Sequence, residues 1–293
     1  MDFTALQSVG NGFALVDALR DPLVMDGVDI EAETRAICAR ASLDGVIYIV
    51  GLDPAQAEAS GLGITQYARV MNADGSYGGI SGNGARCVAK LLVERGHASP
   101  DEHGMFRFGM GRRVVEVRAE TDGGRVTRVA VDLGPPEITL AKVPVDTSQI
   151  EGRGERAGEW RVLGRDAFFV HVGNPHMVMF REAAWMEQEM ESEGRLLVAA
   201  PPFPEGMNID FATIVDRDRV RLRTYERGVG LTRACGSGAL ATAVAGREMG
   251  VLDDNVTVVM PGGEIEVLHH APTGTTWTTA DVGEVRIPET PER

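Results

Sequence analysis

Two glycine-rich segments hold the residues whose types and spacing best suit chemistry. Ser81–Ala85 reads SGNGA, and Cys235–Ala239 reads CGSGA. A strand-like stretch precedes each segment, and an alanine-rich helical stretch follows it. A helix that begins at such a turn presents unpaired backbone N–H groups and the positive end of its dipole in one small volume. Both segments therefore predict a site for an anion such as a carboxylate.

Cys235 and Ser81 open these two turns. A thiol at a helix N-terminus has a pKa below the free value of about 8.5, so Cys235 is predicted to act as a base or a nucleophile. Ser81 also has a simpler interpretation, as the N-cap of a glycine-rich helix. If the two helix starts faced each other, both residues would flank one cleft. That geometry lets a proton leave one face of a stereocentre and return to the other, with no metal and no pyridoxal cofactor.

The two segments belong to an internal repeat. Asn72 lies nine residues before Ser81, and Glu226 lies nine residues before Cys235. A repeat of this length predicts two similar halves, each with one turn and one helix.

The boundary between the halves is expected at Leu133–Pro136, where two prolines end a strand-like segment. The first domain is then residues 1–132 plus 281–293, and the second is residues 133–280. No low-complexity or proline-rich linker marks the boundary otherwise.

The elements that must position the turns are mostly short strands. Apolar stretches bounded by Gly, Pro, Asn or Asp recur along the chain, and helical periodicity is clear in only four places. The predicted helices are Ile30–Ala41, Gly84–Arg95, Ala183–Ser192 and Gly238–Met249. An α+β fold with few helices follows.

Composition narrows the function classes. The chain has 293 residues with a net charge of −14, which opposes binding to nucleic acid or to an anionic membrane. Its three cysteines are an odd number without paired spacing, which favours a reducing compartment. No apolar run is long enough to cross a bilayer, and no charged signal region opens the chain. We therefore expect a cytoplasmic protein.

The order of several short motifs resembles the diaminopimelate epimerases, a family of cofactor-independent amino-acid racemases and epimerases. The matching segments are Val9–Phe13, Asn72–Ser76, Gly82–Cys87, Gly173–His176, Phe203–Glu205 with Asn208, Tyr225–Gly230, Ala234–Gly238 and Pro261–Gly263. Each motif alone is weak, but their number and order over nearly the whole chain are specific.

The resemblance implies an α+β fold of two pseudo-symmetric domains. Each would be a strongly curved, barrel-like sheet around a central helix, with the active site between the domains. It also implies epimerisation of LL-diaminopimelate to meso-diaminopimelate, a precursor of lysine and of the cell wall. The implied partner is a small amino acid, with no cofactor and no metal, and the family pattern is compatible with a homodimer.

The resemblance also implies roles for individual residues. Cys235 resembles the acid/base thiol, Glu226 the residue that holds the reacting amino group, and His176 a support for proton transfer. The residues similar to backbone donors at the two helix starts are Gly82, Asn83, Gly236 and Ser237. The residues similar to the groups that hold the far end of the substrate are Asn11, Asn72, Asn174, Asn208 and Arg227. Arg227 suits a carboxylate because a guanidinium binds it through two hydrogen bonds.

Ser81 is the main departure from the family pattern, which has cysteine there. A neutral hydroxyl is a much poorer base than a thiolate. Ser81 is therefore open to three interpretations: a change introduced to stop turnover, a natural Ser/Cys pair that still epimerises, or a one-base enzyme that eliminates, dehydrates or isomerises through Cys235 alone. A catalytically silent amino-acid-binding protein is a fourth hypothesis.

Two smaller departures point to a divergent member of the family. Gly12 stands where aspartate is usual, and Leu231 stands where glutamate is common. Neither change touches the five positions assigned to the far end of the substrate, so a different substrate is permitted without being required.

Overall fold

The computed structural model describes residues 1–52, 61, 63–152, 160–270, 274–285 and 287. The chain forms two compact units, Met1–Asp132 with Thr279–Arg293, and Leu133–Thr278. The returning segment therefore begins at Thr279 rather than at residue 281 as expected, because the last strand of the second unit continues into the first without a break.

The described part of the N-terminal unit contains two α-helices among its strands. Its elements are β1 (Thr4–Ser8), β2 (Asn11–Asp17), a 3-10 turn (Pro22–Met25), α1 (Ile30–Ala41), β3 (Gly45–Gly51), β4 (Gln66–Asn72), β5 (Tyr77–Gly79), α2 (Gly82–Glu94), β6 (Met105–Met110), β7 (Arg113–Asp122) and β8 (Arg125–Asp132).

The C-terminal unit also has two helices in its described part. Its elements are two 3-10 turns (Leu140–Lys142 and Thr147–Gln149), β9 (Glu151–Gly152), β10 (Trp160–Val162), β11 (Arg165–His171), β12 (Pro175–Arg181), α3 (Glu187–Leu197), β13 (Asn208–Asp216), β14 (Arg219–Glu226), β15 (Gly230–Leu231), α4 (Gly236–Glu248), β16 (Asn255–Met260), β17 (Gly263–His270) and β18 (Thr275–Asp281). The strand β19 (Gly283–Glu284) follows and belongs to the N-terminal unit.

The two units repeat one strand topology. In the first, β1 and β2 are antiparallel, β2 and β3 parallel, β3 and β4 antiparallel, β4 and β6 parallel, and β6 and β7 antiparallel. In the second, the same directions recur for β11 and β12, β12 and β13, β13 and β14, β14 and β16, and β16 and β17. The helices α1 and α3 occupy the same place in this order, as do α2 and α4. The predicted internal repeat is confirmed.

Each sheet curves around one helix. Helix α2 contacts β1, β2, β3, β7 and β8, and helix α4 contacts β11, β12, β13, β14, β16 and β17. Helix α2 contains two alanines and helix α4 contains four, and both helices are buried over most of their length, so the strands approach them closely. The expected fold class, with a central helix in each of two similar domains, is confirmed.

Helix α3 begins four residues later than the predicted start at Ala183. The Arg181 guanidinium donates hydrogen bonds to the carbonyls of Ala183 (2.8 Å) and Ala184 (2.7 Å). The helix begins only after Met186, whose backbone is extended and whose N–H donates to Glu189 Oε2 as in a capping box. The other predicted helices are found, with Ile30–Ala41 matching at both ends and the two glycine-rich helices beginning two residues earlier than expected.

The end of the chain completes the N-terminal unit. Strand β19 pairs with β1, with Leu6 opposite Glu284. Ser8 Oγ donates to the carbonyl of Asp281 at 2.8 Å, and Arg125 forms an ion pair with Glu284. Among the described residues, no helix combines the length and the apolar character that crossing a membrane requires.

Candidate active site

Both glycine-rich turns are N-caps. Ser81 has an extended backbone, and its Oγ accepts a hydrogen bond from the Gly84 N–H at 3.0 Å. Cys235 has the same conformation, and its Sγ accepts from the Gly238 N–H at 3.4 Å. The capping interpretation of Ser81 therefore holds, and it applies to Cys235 as well. Capping leaves the other N–H groups of each first turn as anion donors.

A glycine at the third position of each helix lets the helix approach a strand closely. A Cβ atom on Gly84 would come within 2.9 Å of Ile47 Cδ1. A Cβ atom on Gly238 would come within 2.7 Å of both Asp210 Oδ1 and Thr224 Oγ1. The two helix starts are thus packed alike, but one faces an apolar side chain and the other a carboxylate.

His176 lies at the centre of the C-terminal half-site and is completely buried. Its Nδ1 is 2.6 Å from Asp210 Oδ2. Its Nε2 is 3.0 Å from Ser237 Oγ and 3.2 Å from Asn174 Oδ1. The strand order explains this grouping, because β12 and β13 pair in parallel with His176 opposite Asn208. His176 from β12 and Ser237 from α4, both predicted from the sequence, are therefore in contact in the structure.

Asn208 and Arg227 extend this group. Asn208 Nδ2 is 3.4 Å from His176 Nε2, and Asn208 Oδ1 accepts a hydrogen bond from the Arg227 N–H at 2.9 Å. The Arg227 guanidinium donates to the Glu205 carbonyl. Arg227 is exposed, and a guanidinium is a side chain that can bind a carboxylate through two hydrogen bonds.

Asp210 is a site residue that the sequence analysis missed. It is completely buried, and its Oδ1 accepts a hydrogen bond from Thr224 Oγ1 at 2.6 Å. The two residues face each other across β13 and β14. The sequence signal that could have identified Asp210 is its place inside the apolar run Ile209–Val215, since a buried charge needs a specific partner.

The thiol of Cys235 contradicts one prediction. Burial raises its pKa well above 9.0, and the negative charges of Glu226 and Asp210 raise it further. The Gly238 N–H and Ser237 lower it, but these hydrogen bonds do not compensate. The expected pKa depression was therefore wrong, because removal from water and the two carboxylates outweigh the hydrogen bonds at the helix start.

Among charged groups, Glu226 contributes most to the raised pKa of Cys235. Burial raises the pKa of its carboxyl, while the Thr232 hydrogen bond and the electrostatic influence of His176 lower it. Interaction with Cys235 also stabilises the ionised carboxylate. A thiol and a carboxyl thus share one partly desolvated environment.

The N-terminal half-site is organised by amides and a buried cation. Asn83 Nδ2 donates to Asn11 Oδ1 at 2.6 Å, and Arg86 Nη1 donates to Asn83 Oδ1 at 2.7 Å. Arg86 is completely buried and also donates to the Val129 carbonyl. Burial lowers the pKa of its guanidinium to about 10, so it stays charged at neutral pH.

Asn72 is not joined to this amide group by its side chain. It is exposed, and its Nδ2 donates to Ser76 Oγ at 2.9 Å. Gly12 stands where the family usually has aspartate, and in this structure the Gly12 N–H donates to Asp44 Oδ2 at 2.7 Å. A carboxylate therefore reaches the Gly12 position from another segment of the chain.

The remaining cysteines behave as core residues. Burial raises the pKa of Cys38 to about 11 and that of Cys87 to about 12. Across the described ranges, no group of three or more His, Cys, Asp or Glu side chains is arranged to hold a metal ion.

The fold has relatives among solved structures. A hydroxyproline epimerase from Agrobacterium vitis, in complex with trans-4-hydroxy-L-proline, superposes with a TM-score of 0.64 at 11% sequence identity. The match covers 97% of this chain and 90% of that one. This likeness extends over the duplicated sheet and shows a shared fold.

Sequence relatives give the family. Residues 168–288 match the family model described as diaminopimelate epimerase. The diaminopimelate epimerase of Halorhodospira halophila is 33% identical over 300 residues, covering 98% of this chain and 96% of that protein. That of Caulobacter vibrioides is 34% identical over 283 residues, covering 90% and 88%. The chain belongs to the diaminopimelate epimerase family.

Proposed function

We propose that the protein inverts the α-carbon of diaminopimelate, from the LL to the meso isomer, by proton transfer without a cofactor. The observation that carries the proposal is the Cys235 thiol, which caps helix α4 beside Glu226 and the His176 group in a chain of this family. In the proposed reaction Cys235 transfers the proton on one face of the α-carbon, and the residue at Ser81 transfers it on the other.

In this mechanism the thiolate of Cys235 removes or returns the α-proton. The backbone N–H groups at Gly82, Asn83, Gly236 and Ser237 bind the reacting carboxylate and stabilise the charge that develops as the α-carbon loses its proton. Glu226 holds the α-amino group. The distal amino-acid group is bound by the four asparagines at 11, 72, 174 and 208 together with Arg227.

A second candidate is a one-base isomerase that works through Cys235 alone. The observation that favours it is the setting of Ser81, whose hydroxyl accepts from the Gly84 N–H above the apolar side chain of Ile47. Within the described part of its own unit, no carboxylate or imidazole forms a hydrogen bond with the Ser81 hydroxyl. Exchange at the α-carbon without inversion is the expected product of such a site.

Incubation with LL- and meso-diaminopimelate in deuterated water distinguishes these functions. Deuterium at the α-carbon with inversion supports the epimerase, and exchange without inversion supports one-base chemistry. Saturable binding without exchange identifies a silent binder. The Ser81→Cys variant is the matched comparison: it should gain epimerase activity, and the diaminopimelate assignment is wrong if it gains none while remaining folded.

A further inference from the structure

We propose that Arg86 is a positioning residue for substrate binding. Through Asn83 it fixes which way the Asn11 side-chain amide faces, so that Asn11 offers an N–H donor to a substrate carboxylate. The proposal rests on the proposed function in taking Asn11 as a residue that contacts the distal end of the substrate. It adds the atom through which Asn11 acts and the buried group that selects this atom.

The direction of the hydrogen bonds between these three side chains is set at Arg86. A guanidinium has N–H donors and no acceptor, so every polar atom that it binds must accept. Arg86 Nη1 is 2.7 Å from Asn83, which therefore faces it with Oδ1. Asn83 Nδ2 then faces Asn11 at 2.6 Å, and Asn11 meets it with Oδ1. Within the part of the chain that the structure describes, Asn11 Nδ2 has no protein acceptor and is available to a ligand.

The backbone around Asn11 is held in place by other groups. Asn11 directly follows the tight turn between β1 and β2, in which Val9 and Gly10 both have positive φ, 52° and 80°. On its other side, the Gly12 N–H donates to Asp44 Oδ2 at 2.7 Å, and the Gly12 carbonyl accepts from the Asp44 N–H at 2.8 Å. The orientation of the side-chain amide is then the property that its hydrogen-bond partners must decide.

Asn72, in the same unit, is an amide whose orientation is not decided in this way. Its Nδ2 is 2.9 Å from Ser76 Oγ. A hydroxyl both donates and accepts, so this contact suits either orientation of the amide. Asn72 can therefore offer an N–H or a carbonyl to a ligand, whereas Asn11 is held as a donor. Because a carboxylate accepts hydrogen bonds and an ammonium donates them, Asn11 favours a carboxylate at its position.

The repeated fold does not require a cation at the place of Arg86. Arg86 is completely buried, and removing a guanidinium from water is costly. The equivalent position of helix α4 holds Leu240, which is also completely buried. Replacing a buried charge by an apolar residue of similar size is often neutral or stabilising. The charge of Arg86 is therefore explained by its effect on the amides rather than by packing.

The Asn83→Asp variant reverses the polarity and is the sharpest test. Both oxygens of the new carboxylate accept hydrogen bonds, so the variant keeps its contact with Arg86 as an ion pair. It also offers an acceptor to Asn11 in place of a donor. The Asn11 amide must then turn, donate from Nδ2 to the new carboxylate, and present its carbonyl to the substrate.

Binding of diaminopimelate, measured by calorimetry on the full chain, should show this reversal as a change of sign. In the parent protein, Asn11→Ala should raise the Kd about tenfold, because a donor to the carboxylate is lost. In the Asn83→Asp background, Asn11→Ala should lower the Kd, because it removes a carbonyl that faces the carboxylate. The charge added at position 83 is common to both members of this second comparison. Asn72→Ala is the control and should have the same effect in both backgrounds.

Amide hydrogen exchange tests the orientation without any ligand. The chain has six asparagines, so labelling with isotopic asparagine gives six side-chain amide signals in an NMR spectrum, and Asn11→Ala assigns the one from Asn11. In the Asn83→Asp variant the Asn11 amide gains a protein acceptor, and its exchange should slow about tenfold. The Asn72 signal should keep its rate.

Arg86→Leu tests whether the polarity originates at the guanidinium. It should raise the Kd about tenfold in the parent and leave it unchanged in the Asn11→Ala background, because both changes remove the same hydrogen bond to the substrate. Lys90→Met, which removes another buried cation of helix α2, should leave the Kd unchanged in both.

Three results would overturn the proposal: a Kd raised by Asn11→Ala in both the parent and the Asn83→Asp background, an equal effect of Arg86→Leu with and without Asn11, or unchanged exchange of the Asn11 amide in Asn83→Asp. If Arg86→Leu does not fold, the two Asn83→Asp experiments decide. Failure of the proposed function looks different: the parent then does not bind diaminopimelate, and the exchange of the Asn11 amide still decides the proposal.

Discussion

Arg86 donates from Nη1 to Asn83 Oδ1 at 2.7 Å, so a completely buried guanidinium fixes the second residue of helix α2. The equivalent fifth residue of helix α4 is Leu240, which is also completely buried. The same place in the repeated fold thus accepts either a cation or an apolar side chain.

Arg86→Leu is therefore expected to fold but to loosen the N-terminal half-site. Loss of the hydrogen bonds to Asn83 and Val129 should lower the free energy of unfolding by about 1–3 kcal/mol and raise KM more than it changes kcat. Urea denaturation and steady-state kinetics measure the two effects.

Lys90→Met is the matched control, because Lys90 is a second buried cation on the same helix and pairs with Glu94. It should reduce stability without altering KM. Equal KM changes in the two variants would show that Arg86 acts only through general stability.

Gly238→Ala should cost more stability than Gly84→Ala. The new methyl group on Gly238 meets Asp210 Oδ1 and Thr224 Oγ1, which are fixed by their mutual hydrogen bond. The methyl group on Gly84 meets the movable end of Ile47. We expect overpacking of about 1–3 kcal/mol for Gly238→Ala and a smaller loss for Gly84→Ala, measured as the difference in free energy of unfolding. The opposite order would contradict the packing described for the two helix starts.

Glu226→Gln should change how stability depends on pH. Burial raises the pKa of Glu226 above its ordinary value of 4.5, so the folded state holds this proton more tightly than the unfolded chain. Its stabilising contribution is complete below 4.5 and is lost as the pH rises through the raised value. The glutamine variant cannot ionise, and its stability relative to the parent should grow from acidic to neutral pH. Chemical denaturation over that range is the measurement, and a flat difference counts against the shift.

Cys235→Ala should abolish α-deuterium exchange in any active form of the protein. Cys38→Ala is the control, because Cys38 lies in the core cluster around α1 and β3 and should leave exchange intact. Mass spectrometry of the recovered amino acid measures both. Exchange retained by Cys235→Ala would remove the thiol mechanism.

The repeat and the helix starts were predictable because backbone requirements appear directly in the sequence. Glycines at fixed offsets and alanine-rich stretches follow from close packing of helix on strand, whatever the side chains then do. The start of α3 was not predicted, because it is set by the extended backbone of Met186 and its hydrogen bond to the Glu189 side chain, which hydrophobic periodicity does not reveal.

The electrostatics of the site were the property that the sequence predicted least well. The direction of the Cys235 pKa depends on which carboxylates lie beside the thiol and on how little water reaches it. Asp210 belongs to a neighbouring strand, and only the pairing of β13 with β12 and β14 brings it to His176 and Thr224. Local sequence carries the helix dipole but not these longer-range charges.

The strand β19 has a consequence for synthesis on the ribosome. Domains generally fold as units, starting from the N-terminus, while the chain is being made. Here β1 is paired with β2 on one edge but lacks its partner on the other edge until Gly283 and Glu284 have been added, whereas residues 133–278 are already available to fold. An open strand edge is a template for pairing with other chains. The half of the molecule that is translated first is thus the half that is finished last, and its nascent form is the one exposed to misassembly.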